Sequence, residues 1–126
     1  MRIIPLLSQT IAALELPRNG YARPEGTRLI TDTIVRTCRE NNIFYEREVR
    51  IGLWREKKTK RQGIIDFLIK DEGVQFALEI DSTNKKWSLE KLQFIAAQGH
   101  QAIWVRWKSQ IKLNIPPDIH FLDFTK

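Results

Sequence analysis

The stretch that decides the fold is a pair of apolar segments, GIIDFLIK at residues 63–70 and VQFALEID at residues 74–81. Both are rich in Val, Ile, Leu and Phe, which pack well on the faces of a buried sheet. The polar tripeptide between them, Asp71-Glu72-Gly73, is typical of a turn. The two segments therefore predict two neighbouring antiparallel strands.

Three carboxylates interrupt these strands: Asp66 lies in the first, and Glu79 and Asp81 lie in the second. Burying a carboxylate is costly unless a cation or hydrogen-bond donors meet it. Glu79 and Asp81 are two residues apart, so they project from one face of their strand. The turn centre at Glu72 lies six residues after Asp66 and seven before Glu79, so these two acids lie near the same end of the hairpin. Oxygen ligands on a rigid sheet suit Mg²⁺ or Mn²⁺, and we expect the three acids to bind this metal.

The remaining segments predict an α/β fold, because apolar residues recur at helical spacing in some and alternate in others. The predicted helices are residues 8–14, with Ser8 as the cap, residues 27–41, and a helix that begins at Ser88 and stops at Gly99. The other predicted strands are residues 43–51, residues 101–107 and an edge strand at residues 119–124. This order predicts a three-strand meander, then a helical crossover that places the fourth strand parallel to a neighbour in a mixed sheet.

A chain of 126 residues is expected to form one domain. We divide it into an N-terminal extension at residues 1–26, a core at residues 27–107 and a C-terminal tail at residues 108–126. The single cysteine, Cys38, excludes an internal disulfide, and no apolar run approaches the length of a membrane span. The start of the chain reads poorly as a signal peptide. These features predict a cytoplasmic protein without membrane contact.

The positive charge is concentrated in the first half of the chain. The net charge is +6; residues 1–63 carry thirteen Lys/Arg against seven Asp/Glu, whereas residues 64–126 carry eight of each. The basic cluster consists of Arg55, Lys57, Lys58, Lys60 and Arg61. Such a cluster beside a carboxylate site suits a polyanion, and we expect it to bind nucleic acid together with Arg36 of the first long helix. The plainer alternative is a solvated hairpin tip.

The order of elements and the spacing of the acids resemble the PD-(D/E)xK nuclease superfamily, which has the restriction-endonuclease-like fold. The resemblance covers residues 27–107, where Asp66 matches the first acid of the family motif and Glu79 matches the acid of the second. Residues 77–107, ALEIDSTNKKWSLEKLQFIAAQGHQAIWVRW, are similar to the competence-associated and very-short-patch-repair-like branches. The resemblance implies a metal-dependent endonuclease that hydrolyses phosphodiester bonds, foremost in DNA, with Mg²⁺ or Mn²⁺ as cofactor.

One position departs from the family pattern, because Asp81 stands where most members have a lysine. That lysine positions or deprotonates the attacking water, and Asp81 supplies no positive charge; it can act as an extra ligand or hold a water. The lysines that can supply the charge from elsewhere are Lys85, Lys86 and Lys91, of which we favour Lys85 because it lies just past the strand. A further acid from the first long helix is expected to be Asp32, with Glu25 and Glu40 as rivals.

Two functions follow from this pattern. The first is a nuclease, which would favour a homodimer if it cuts both strands of a duplex. The second is a catalytically degraded module of the same fold, which binds nucleic acid or a protein partner in a larger DNA-processing or defence assembly. The replacement of the family lysine by Asp81 motivates the second.

Overall fold

In a computed structural model of the chain, the structure describes residues 2–17, 23–54 and 62–125, and only the backbone of Arg23, Leu53 and Trp54. The basic cluster lies outside the described residues. The elements are α1 (Ile3–Ala12), α2 (Arg23–Glu40), β1 (Phe44–Trp54), β2 (Gln62–Asp71), β3 (Val74–Asp81), α3 (Lys86–Ala97), β4 (Gln101–Trp107) and β5 (Ile119–Phe124). Within these ranges, no helix has both the length and the apolar character that crossing a membrane requires.

The five strands form one mixed sheet in chain order, from β1 to β5. The first three strands are antiparallel neighbours, whereas β3–β4 and β4–β5 are parallel pairs. Helix α3 makes the crossover from β3 to β4. The predicted α/β class, meander, helical crossover and parallel fourth strand are confirmed, and the predicted edge strand is β5.

Helices cover both faces of the sheet, and each face carries its own apolar cluster. The first cluster contains Leu7 of α1, Ile34 of α2 and Leu78 of β3. In the second cluster, Leu92 of α3 packs against the side that carries Trp104 of β4. Because both faces are covered, the side chains of β4 from Ala102 to Trp107 are all buried.

A tight turn sets the register of the β2–β3 hairpin. Glu72 and Gly73 both have positive φ angles, 52° and 80°, as the two central residues of a type I′ turn require. The turn pairs Asp71 with Val74, and this register continues to Phe67 opposite Leu78. The pairing ends there, one residue before Asp66 and Glu79.

Helix α1 begins at Ile3, so the prediction that Ser8 caps it is wrong. The cap comes from a distant residue: Oδ2 of the buried Asp71 accepts the backbone N–H groups of Arg2 at 2.6 Å and Ile3 at 2.9 Å. Pro5 lies in the first turn, where a proline is tolerated because the N–H groups there have no partner within the helix.

The other two helices also begin earlier than predicted. Helix α2 begins at Arg23 and includes Pro24 in its first turn, for the same reason as α1. Helix α3 begins at Lys86, after an N-cap residue, Lys85, that makes no side-chain cap hydrogen bond. Ser88 is thus inside the helix, buried, and its side chain hydrogen-bonds to Asp81 instead of capping.

The substitution Gly26→Ala is expected to destabilise the protein, although alanine is normally the better helix residue. A Cβ atom at Gly26 would lie 2.0 Å from a ring carbon of the buried Trp107. Such overpacking costs about 1–3 kcal/mol, which chemical denaturation measures. Gly52→Ala is the control, because its Cβ would meet Phe94 at an ordinary 3.9 Å. A Gly26→Ala variant as stable as the parent would show that α2 does not pack this closely on Trp107.

Candidate active site

The regular pairing of the sheet breaks at Asp66. The pairs between β2 and β3 stop at Phe67, and the pairing of β1 with β2 passes over Glu48 and Asp66. Glu48 has a φ of 54°, in the left-handed region that non-glycine residues rarely adopt. Across the break the strand changes its packing, because Phe67 belongs to the first cluster and Ile65 to the second. Such irregularities re-aim side chains, and they concentrate at functional sites.

The break also interrupts the alternation of side chains along β1. Strict alternation puts Tyr45, Val49 and Ile51 on one face of the strand. In the structure Tyr45 packs against the first cluster, whereas Val49 and Ile51 belong with the second. The face changes at Glu48, where the backbone leaves the extended conformation.

Asp66 and Glu79 fill the break with reciprocal hydrogen bonds. Oε1 of Glu79 accepts the backbone N–H of Asp66 at 3.0 Å, and Oδ2 of Asp66 accepts the backbone N–H of Ile80 at 2.7 Å. Two carboxylates thus take the place of ladder bonds where the β2–β3 pairing stops. The structure thus brings together Asp66, just beyond the β2–β3 pairing, and Glu79, near the end of β3.

A lysine from α3 completes this group. Nζ of Lys91 lies 3.1 Å from Oε2 of Glu79 and donates to the carbonyl oxygen of Ile64 at 2.7 Å. The side chains of Lys91 and Glu79 are only 9% and 4% exposed, so this is a buried ion pair. We call Asp66, Glu79 and Lys91 the carboxylate–lysine site.

Asp81 lies on the same strand face but is engaged elsewhere. Its Oδ2 accepts the indole N–H of Trp104 at 2.8 Å, and Ser88 also hydrogen-bonds to it. Its Oδ1 lies 3.9 Å from Nζ of Lys85, whose side chain is 63% exposed. Over the ranges that the structure describes, no three His, Cys, Asp or Glu side chains form a group that could hold a metal ion. Asp66 and Glu79 are linked by their reciprocal hydrogen bonds, whereas the hydrogen bonds of Asp81 go to other residues.

Arg106 holds the end of β3 in place, a role that the sequence does not reveal. Its guanidinium is fully buried and donates to the carbonyl oxygen of Asp81 at 3.1 Å, to Oδ1 of Asn84 at 2.9 Å and to the carbonyl oxygen of Ser109 at 2.9 Å. It thereby ties the loop after β3 to the loop after β4. The one signal in the sequence is a single arginine between two tryptophans in an otherwise apolar segment, which does not indicate what the arginine binds.

The residues predicted on the first long helix lie in a different layer. Helix α2 packs on the first cluster, whereas Lys91 reaches Glu79 from α3, on the other face of the sheet. Asp32 and Arg36 are exposed on α2, and so are the rival acids Glu25 and Glu40. The structure therefore does not bring Asp32 to the carboxylate–lysine site.

The electrostatic setting of the acids favours an uncharged or cation-bound state. Burial, followed by the negative charge of Asp66, raises the pKa of Glu79 to about 7, against the opposing effect of Lys91. Burial also raises the pKa of Asp66, and the charge of Asp81 adds to this effect. The pKa of Asp81 is raised by burial and pulled down by its bonds to Ser88 and Trp104. One lysine does not offset the repulsion among these acids, which is the setting in which a further cation binds.

No protein-family model and no curated protein matches this chain. Mg²⁺ is commonly held by one or two carboxylates, with waters and substrate phosphates completing its shell. Asp66 and Glu79 supply two such carboxylates on neighbouring strands, so the pair fits a divalent cation without a third acidic side chain.

Raising the pH from about 5 to 8 is expected to destabilise the metal-free protein. A carboxyl group whose folded pKa lies above its unfolded pKa binds its proton more tightly in the folded state. The bound proton therefore stabilises the folded protein. This stabilisation is complete below the unfolded pKa, 4.5 for Glu79, and is lost as the pH rises through the folded pKa of about 7. Asp66 and Asp81 shift in the same direction. Calorimetry should show a Tm that falls over this range and falls less in Glu79→Gln; a Tm that rises equally in both proteins would contradict this assignment.

Proposed function

We propose that this chain is a metal-dependent nuclease that hydrolyses phosphodiester bonds in DNA. The observation that carries the proposal is the carboxylate–lysine site: an acid from each of two neighbouring strands, linked by reciprocal hydrogen bonds, with a buried ammonium group beside them. The resemblance of the motif around Asp66 and Glu79 to PD-(D/E)xK nucleases supports the same chemistry.

In this proposal Asp66 and Glu79 hold Mg²⁺ or Mn²⁺ at the break in the sheet. The metal supplies charge neutralisation at the phosphate and lowers the pKa of a bound water. Asp66 is half-buried, so this end of the pair is the one that solvent and substrate reach. Asp81 orients the strand end through Trp104 and is available as a further ligand.

Lys91 supplies the positive charge that the Glu-x-Asp motif lacks. Its ammonium group approaches Glu79 from the helix instead of from the strand, which places the charge beside the pair. Lys85, which the sequence favours for this role, has an exposed side chain near Asp81 and is the alternative. Lys91 is the better candidate because a desolvated charge acts more strongly on a nearby phosphate than an exposed one.

The basic cluster and Arg36 are proposed to bind the DNA backbone, and a homodimer is proposed for cleavage of both strands. The experiment that tests the function is incubation of supercoiled and branched DNA with the protein in Mg²⁺, in Mn²⁺ and in EDTA. Nicked or linear products that require the metal support the proposal. Protein that is folded and cleaves none of these DNA forms, nor RNA, contradicts it.

The second candidate is a non-catalytic module that binds nucleic acid or a protein partner. The observation that favours it is that both oxygens of Glu79 already have partners within the chain, and Asp81 is bonded to Trp104. In that case the Glu79–Lys91 pair is structural. This function predicts binding that is indifferent to divalent metal, and an activity lost in Asp66→Ala would exclude it.

A further inference from the structure

A groove of about 220 Å³ lies on the sheet face that carries α3, and helix α3 leaves it uncovered. We call it the side groove. Its walls are apolar and come from Val49, Ile51, Ile65, Leu68, Ala77 and Ile95. Its polar lining comes from Arg50, Gln75, Gln98 and His100. The groove is thus an apolar slot with polar residues around it.

The side groove adjoins the carboxylate–lysine site. Ile65 and Leu68 line the groove and flank Asp66 in β2, so the groove begins where the strand pairing breaks. Gly52 also lines it, and the basic cluster begins three residues further along the chain. A polyanion with a phosphate at Asp66 would therefore pass the opening of the groove and meet Arg50 there.

The size and chemistry of the groove suit one planar ring. Pockets for drug-sized ligands begin at about 300 Å³, so this groove holds a smaller group. The side-chain amides of Gln75 and Gln98 each donate and accept hydrogen bonds, as the edge of a nucleobase requires. Proteins that read unpaired bases combine apolar contact on the ring face with hydrogen bonds to its edge.

We propose that the side groove binds an unpaired nucleobase of the DNA whose phosphate lies at the carboxylate–lysine site. This inference rests on the proposed function for the identity of the polymer, and it narrows the substrate to DNA with a bulged or single-stranded nucleotide next to the cleaved bond. A base inside a regular duplex is stacked and paired, so it cannot enter the groove.

The test is fluorescence anisotropy with a labelled DNA duplex that carries one bulged nucleotide and with the fully paired duplex, both in EDTA so that no cleavage occurs. We expect the protein to bind the bulged duplex roughly tenfold more tightly, as one base contact implies. Leu68→Trp, which fills the half-exposed wall, should abolish the preference, and so should the double variant Gln75→Ala/Gln98→Ala. Gln93→Ala, an exposed glutamine of α3 outside the groove, is the control and should keep it.

Equal affinity of the parent protein for the two duplexes would overturn the inference, and so would a preference that survives in both groove variants. Cleavage in Mn²⁺ separates this result from a failure of the proposed function. Metal-dependent cleavage without any preference for the bulge would reject the side groove alone. A groove-dependent preference without cleavage would uphold the groove and reject the nuclease.

Discussion

Asp66→Asn and Glu79→Gln are each expected to lower metal-dependent DNA cleavage by more than about a hundredfold, since losing even an outer partner of a metal ligand costs 10–100-fold. Each change replaces a carboxylate by an amide of the same shape. The amide oxygens can still accept the backbone N–H groups of Ile80 and Asp66, so the two variants should fold. Initial rates of plasmid nicking measure the effect.

Stability separates a lost ligand from a lost fold in these variants. Because burial disfavours the charged form of Asp66, Asp66→Asn should leave the Tm near pH 8 unchanged or raise it. Glu79→Gln should lower the Tm, because it leaves the buried ammonium group of Lys91 without its carboxylate, so its cleavage is compared at a temperature where the variant is folded. Asp118→Asn, an exposed aspartate beyond β4, is the control and should retain full cleavage. If folded Asp66→Asn or Glu79→Gln cleaves at the rate of the parent protein, the pair does not hold the catalytic metal.

Lys91→Met is expected to have the largest effect on stability, a loss of about 3–5 kcal/mol, because it leaves a buried carboxylate and the carbonyl oxygen of Ile64 without their partner. The double variant Lys91→Met/Glu79→Gln should recover part of this loss, since the uncompensated charge is gone. Urea denaturation of the single and double variants measures both free energies of unfolding.

The matched control is Lys85→Met, in which the lost ammonium group is 63% exposed and lies 3.9 Å from Asp81. Its Tm should be unchanged, since exposed ion pairs contribute little. Cleavage distinguishes the two lysines: folded Lys91→Met should be at least tenfold slower than Lys85→Met. If Lys85→Met is instead the slower variant, Lys85 supplies the positive charge that the Glu-x-Asp motif lacks, as expected from the sequence.

The register of the central hairpin could be predicted from the sequence because its signals are local. Apolar residues mark the strands on both sides of Glu72-Gly73, and only a tight turn fits between them. Counting from the turn places Asp66 and Glu79 near the same end of the hairpin, and their hydrogen bonds bring them together there. The crossover helix and the parallel fourth strand follow from the order of elements.

The contacts of the site join residues that are far apart in the sequence, and local sequence patterns do not predict such contacts. Lys91 lies twelve residues beyond Glu79, and it meets this residue only because α3 crosses β3 at one particular position. The α1 cap provided by Asp71 joins residues 68 and 69 positions apart, which no capping motif can show. The break opposite Glu48 interrupts an alternation that looks regular in the sequence.

Isothermal titration of the protein with Mn²⁺ tests most directly whether Asp66 and Glu79 hold a metal. We expect binding in the micromolar to millimolar range that is lost in both Asp66→Asn and Glu79→Gln and kept in Asp118→Asn. Binding should also strengthen as the pH rises through about 7, because Glu79 must lose its proton to receive the metal. Absence of Mn²⁺ binding at pH 8, or binding that survives in both amide variants, would contradict the claim that Asp66 and Glu79 form a metal centre.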